Sequence, residues 1–212
     1  MNSKSLIITF SIFLSIILSI YILNQENNYL RSSNSINNNS TSELQVANRG
    51  ESRVTLKTGY VQIGRLQAII PSGWKREKPS SAMRIAQLNI PGDNGECEIA
   101  VFSGIGGGVD ANLERWYGQF KNKEGNRPSE TLIRNQFYNN NLEIITSYID
   151  GTYLKSSMGM GGATTELENY ALMAAIVLTD SEPYYFKGTG PKSIIDDNLN
   201  KFKMFIRSIE SL

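Results

Sequence analysis

The first residues whose types and spacing point to chemistry are Gly104, Ile105, Gly106, Gly107 and Gly108, a glycine-rich run between a strand-like and a helix-like stretch. Successive backbone N–H groups at a helix start can cradle a phosphate. The phosphate-loop pattern, however, needs Lys and then Ser or Thr after the last glycine, and Val109 and Asp110 stand there instead. A carboxylate at that helix start repels a phosphate. The run therefore reads as a strand-to-helix connection or a ligand-contacting loop, with Gly104, Gly106, Gly107 and Gly108 as possible partner-binding positions. A second stretch, SSMGMGGATTELEN from Ser156 to Asn169, reads as flexible and joins glycines to Met158 and Met160. Exposed methionines make an adaptable apolar contact surface; buried ones plug a core. If both loops share one end of a sheet they form a single binding edge, to which Trp116 and Tyr117 would add anchors, although both aromatics also fit the core stripe of their helix.

The remaining chemistry-bearing groups are sparse. The chain has no histidine and one cysteine, which excludes Ser-His-Asp and Cys-His catalysis, an internal disulfide and a four-cysteine zinc site. Cys97 shares strand parity with Ile99 and Val101 and reads as a buried thiol. Glu96 and Glu98, with Asp93 and Asn94 in the neighbouring turn, offer oxygen ligands to calcium without any EF-hand spacing, and paired acids on a solvated strand are ordinary. No acidic pair is singled out for hydrolysis, and no cofactor or metal is assigned. Lys75, Arg76 and Lys78, near Lys57, Arg65 and Arg84 in sequence, form a locally basic region that reads as solvated surface or as a membrane-facing patch. With 21 basic and 20 acidic residues the net charge is +1, so nothing draws the chain to nucleic acid.

These groups need a scaffold, and the apolar pattern supplies one after residue 53. GYVQIGRLQAII changes parity at Gly64 or Arg65, as at a bulge or bend within one strand. Arg84–Ile90 and Glu96–Phe102 flank PGDNG and predict a hairpin. Leu113, Trp116, Tyr117 and Phe120 recur at helical spacing with Asp110 as the expected N-cap. A second hairpin is expected around Asn139, Asn140 and Asn141, and a third from YALMAAIVLT and YYFKGTG around DSEP. A final helix, capped by Ser193 and with Asp196 and Asp197 in its first turns, would bury Ile195, Leu199, Phe202, Ile206 and Ile209. The expectation is an α+β domain over residues 53–212, an antiparallel sheet of about six to seven strands flanked by helices.

Ahead of it, residues 6–23 are uncharged and apolar, about 27 Å as a helix, close to the hydrocarbon thickness. No A-x-A cleavage pattern follows, so residues 1–23 read as a signal anchor, with a cleaved signal peptide as the alternative. Lys4 before the segment orients the rest of the chain outside the cytoplasm. Ser11, Ser15 and Ser19 line one helix face at a spacing that suits self-association. Residues 24–52 are rich in Asn and Ser and read as a disordered tether spanning roughly 30 Å.

Ile70–Lys75 (IPSGWK) and Tyr184–Glu210 (YYFKGTGPKSIIDDNLNKFKMFIRSIE) together resemble the frame of the Mog/PsbP-like sandwich. Met83–Phe102, the glycine run and Asn112–Phe120 are similar to a block found in exported bacterial proteins and lipoproteins; the likeness covers most of residues 66–210. The chain departs from the lipoproteins in having no cysteine after its apolar run. The resemblance implies non-catalytic, extracytoplasmic binding or accessory roles and carries no residue's function onto this chain. The reading is a membrane-tethered binding domain with an envelope protein as possible partner. Alternatives are a histidine-independent enzyme on an envelope substrate and a self-associating envelope component.

Overall fold

The computed structural model describes residues 55–93, 95–156 and 164–212, so the expectations for residues 1–53 and for Met158, Met160 and Asn94 lie outside the described residues. The chain divides into Met1–Arg53 and a compact unit Val54–Leu212, to which everything below refers. Among the described residues no helix is long and apolar enough to cross a membrane.

The elements run β1 (Val61–Ile63), β2 (Leu66–Ala68), β3 (Lys75–Glu77), β4 (Ala86–Gly92), β5 (Gly95–Ser103), α1 (Gly108–Tyr117), β6 (Phe120–Lys121), β7 (Ile133–Asn139), β8 (Leu142–Ser156), β9 (Thr164–Leu178), β10 (Tyr184–Pro191), α2 (Lys192–Arg207) and β11 (Glu210–Ser211). An eight-stranded sheet has the order β3-β4-β5-β10-β9-β8-β6, with β7 also on β8, and a three-stranded sheet has the order β1-β2-β11. All pairings are antiparallel. The expected α+β class and antiparallel sheet are therefore present.

The large sheet is covered on both faces, which is why its central strands read as nearly continuous apolar runs such as ALMAAIV in β9. On one face Leu88, Ile99, Val101, Met173 and Phe186 pack with Ile63, Leu66 and Trp74 and with Phe202, Phe205 and Ile206 of α2. Phe205 is the hub, with Trp74 and Phe186 ring centroids at 5.6 and 5.7 Å. On the other face Leu113, Trp116 and Tyr117 of α1 cover Ile145, Ile149, Leu172, Ile176 and Tyr185. Asn140 and Asn141 turn β7 into β8 with φ of 50° and 62°, the left-handed pair that a two-residue hairpin needs. The same turn serves α2: Asn139 Nδ2 donates to the Arg207 carbonyl at 2.7 Å and Asn140 Nδ2 to the Ile209 carbonyl at 2.9 Å. Carbonyls at a helix end that have no intrahelical donor thus find partners.

Several local expectations are corrected. Gly64 and Arg65 are the turn of a tight β1–β2 hairpin, with Ile63 opposite Leu66, rather than a bend inside one strand. Gly107, at φ 97°, holds the N-cap position of α1 in place of Asp110, whose carboxylate instead meets Arg134 at 2.8 Å. The chain leaves that helix at Gly118, so Phe120 is buried from β6. Pro191, not Ser193, precedes α2, because fixed proline geometry suits a helix start; Asp196 and Asp197 lie beyond the first turn. Within α2 it is Phe205 rather than the half-buried Leu199 that completes the stripe. Thr164–Asn169, read as flexible, are strand residues, and Thr164 to Leu167 pair with β8.

Candidate functional site

The long β8–β9 hairpin is kinked near its middle. Its register shifts between Gly151 and Tyr153, and Asn169 adopts φ 56°. A bulge of this kind bends a strand and re-aims its side chains. Gly151 is required here, since a Cβ would lie 2.7 Å from the Lys121 carbonyl oxygen where β6 crosses. Over the kink lies an open groove of about 640 Å³ lined by Lys121, Glu124, Glu130, Asp150, Glu168 and Lys192, among others. A shelf of about 520 Å³ shares Glu168, Asn169 and Lys192 and reaches Asp196 in α2.

The charges in the groove are unevenly matched. Lys121 pairs with Glu166 at 2.6 Å, and Lys192 pairs with Asp196 and lies 3.7 Å from Asp150. Hydrogen bonds to Asp196 and Tyr148 push the Lys192 ammonium above its ordinary range. Burial pushes the Tyr148 hydroxyl up to about 12. Glu124, Glu130 and Glu168 form no ion pair with any cation among the described residues, and the groove's Lys123 forms none with any carboxylate, so acidic groups remain in excess. The Thr131 hydroxyl is tied to main-chain atoms, lying 3.1 Å from the Asp150 carbonyl and 3.2 Å from the Asp150 N–H. The arrangement can hold a cationic, hydrogen-bonding ligand.

A second unusual group lies on the α1 face. Lys187 in β10 points into the layer under α1, with Trp116 and Tyr153 ring centroids 5.9 and 5.8 Å from its ammonium and one hydrogen bond, to Gln119 Oε1 at 2.6 Å. Desolvation first, and then Arg115 and Arg84, bring it down to about 8; Glu98 opposes this. The signal was present in YYFKGTG, where a lysine sits in a strand buried on both faces.

The glycine run lies where it was expected, between β5 and α1. Gly104, Gly107 and Gly108 have positive φ, and Asn112 Nδ2 holds the turn by donating to the Gly106 and Gly108 carbonyls at 3.0 and 2.6 Å. The run leaves β5 at the end of the sheet where β9 finishes, not where β9 begins at Thr164. Ser103 pairs with Tyr184, which pairs with Val177, whereas Thr164 is thirteen residues away along β9, roughly 40 Å of strand. The groove lies toward the Thr164 end of β9, since Glu166 and Glu168 line it. Trp116 and Tyr117 are buried and belong to the core. Cys97 is fully buried and desolvation pushes its thiol up to about 12. Glu96 accepts from Asn89, and Glu98 pairs with Arg84 at 2.8 Å. Among the described residues no group of three or more acidic or cysteine side chains is placed to hold a metal ion. Lys75, Arg76 and Lys78 are exposed on and beside the edge strand β3.

No family model matches the chain, and no curated protein matches it. Among solved structures it is similar to the solution structure of cyanobacterial PsbP (CyanoP) from Synechocystis sp. PCC 6803, with a TM-score of 0.43 and 13% identity over 70% of this chain and 87% of that one. It is also similar to a crystal structure from Bacteroides thetaiotaomicron VPI-5482, with a TM-score of 0.37 and 13% identity over 70% of this chain and 45% of that one, less than half its length. A PsbP structure is therefore among those the chain is similar to, and at TM-scores below 0.5 neither likeness bears on function.

Proposed function

We propose that this chain is a non-catalytic binding domain, held outside the cytoplasmic membrane by its apolar N-terminal segment, that takes a positively charged segment of an envelope partner into the groove over the kinked β8–β9 hairpin. The observation that carries the reading is the set of three carboxylates, Glu124, Glu130 and Glu168, that line one groove without forming an ion pair to a cation among the described residues. The uncharged run at residues 6–23 and the Asn/Ser-rich stretch after it support the tethering, and the lack of histidine supports binding over catalysis. Met158 and Met160, next in sequence to the strand that carries Glu166 and Glu168, would add apolar contacts to the same partner.

Glu130→Lys combined with Glu168→Lys reverses the charge along the groove at two exposed positions, so stability should change by no more than about 1 kcal/mol. A partner that co-purifies with the wild-type chain from membranes at low salt should be lost from the double variant and from wild type at high salt. Retention of the same partner by the double variant would sink the groove assignment.

A further inference from the structure

We infer that the end of the domain carrying Met83 and Ile85 docks on a lipid surface with anionic headgroups. This rests on the proposed tethering and adds a second contact to it. Met83 is 71% exposed, and Ile85 and Leu212 are 38% and 39% exposed. The β1–β2 turn joins Ile85 to Leu212, with Met83 two residues before Ile85: a Cβ at Gly64 would lie 3.3 Å from Ile85 Cδ1, and the Leu212 N–H donates to the Arg65 carbonyl at 3.0 Å.

Cations ring this patch. Arg65 is exposed in the same turn, and Lys78 follows Glu77, which pairs with Gln87, so it reaches the level of Ala86 beside Ile85. Neither forms an ion pair among the described residues, nor do Lys75 and Arg76 further along β3, whereas Arg84 is taken by Glu98 and Gln87. The carboxylates nearby are Glu77, which Gln87 bonds, Glu182, and Glu98 and Glu210, which are paired with Arg84 and Lys57. Apolar tips inside a basic rim match an anionic bilayer, where the tips enter the headgroup boundary and each nearby cation adds attraction.

The attachment of the N-terminal chain favours a lipid over a protein partner. The Lys57 N–H donates to Gln67 Oε1 at 3.0 Å and its ammonium pairs with Glu210 at 2.5 Å, so residues 55–57 join the domain two residues along β2 from Arg65. A tether ending at this corner keeps the patch within its reach of a bilayer, and the basic rim would orient it.

The test uses the full chain carrying Met83→Cys labelled with an environment-sensitive fluorophore; the native Cys97 is buried and stays unlabelled. A label at Glu124→Cys in the groove is the control. Vesicles are made of phosphatidylcholine with or without phosphatidylglycerol. On phosphatidylglycerol vesicles the Met83→Cys label should shift to the blue and become protected from an aqueous quencher, the control should not, and salt should reverse the change. Arg65→Gln and Lys78→Gln should each weaken the response about fivefold. Flotation after a salt wash reports the anchor separately: a chain that floats while its label stays aqueous is anchored without docking, and a chain that does not float yet shows the shift docks without an anchor. A label that stays quenchable on anionic vesicles, or shifts only when membrane proteins are added, overturns the inference.

Discussion

Gly190→Ala should lower the melting temperature by about 6 to 10 °C, while Gly106→Ala should leave it within about 2 °C. Gly190 lies in β10 against β5 and Gly106 in the connection between β5 and α1, and they differ in what a methyl group would meet. At Gly190 a Cβ would lie 2.7 Å from Cys97 Cα, 2.8 Å from Cys97 Cβ and 3.0 Å from the Glu96 carbonyl oxygen. Two of these are backbone atoms of β5, held here by its pairing with β4, and cannot swing away, so β5 and β10 must separate just past their last pair, Glu98 and Thr189. Overpacking of a well-packed core costs about 1 to 3 kcal/mol, and backbone resistance puts this site at the upper end. Gly106 has nothing within 4 Å, so the same methyl group enters open space. Thermal unfolding of the two variants side by side checks the point. Equal melting temperatures would mean that β5 and β10 are not packed this closely.

The second large effect comes from Lys187. Its ammonium is brought from the ordinary 10.5 down to about 8, chiefly by desolvation, in the folded state. Below pH 8 both folded and unfolded chains carry the proton, and the fold bears the whole cost of the buried charge. Between about pH 8 and 10 the folded chain sheds the proton while the unfolded chain keeps it, so stability rises with pH by up to roughly 3 kcal/mol. The rise ends as tyrosines whose hydroxyls are pushed up in the fold, Tyr148 and Tyr153 among them, begin to ionise in the unfolded chain above about pH 10. Lys187→Met keeps the stem between Trp116 and Tyr153 and removes the charge. It should raise stability at pH 7 by about 1 to 3 kcal/mol, less whatever Gln119 loses, and flatten the rise above pH 8. Denaturant unfolding at pH 7, 8.5 and 9.5 reads both effects. A variant with the wild-type slope would place the titration on another group.

These two sites also mark how far the sequence alone reaches. The hairpins and the final helix were legible because their signals are local: turn residues at Asn140 and Asn141, period-two alternation in β4 and β5, and helical spacing in α2. Helix starts were misjudged because polar residues favoured as caps, Asp110 and Ser193, compete with Gly107 and Pro191, whose backbone geometry decides. The polar edge strand β3 and the two-residue strands β6 and β11 have no pattern of their own and exist only because a neighbour pairs with them. The groove depends on a register shift between Gly151 and Tyr153 opposite a left-handed Asn169, a property of the pair β8 and β9 that neither segment announces. The glycine run follows β5 at the sheet end where β9 finishes, a placement set by the antiparallel order and not by the run's own residues.

Site-specific photocrosslinking in intact membranes tests the central claim most directly. A photoreactive side chain in place of Lys123, which lines the groove, is compared with one in place of Tyr138, which is 73% exposed on β7 and not among the groove-lining residues. The position 123 probe should give one dominant protein adduct that disappears when Glu130→Lys and Glu168→Lys are added, and the position 138 probe should give none. Equal adducts from both positions, or none from position 123 in membranes where the chain is abundant, would contradict a binding role for the groove.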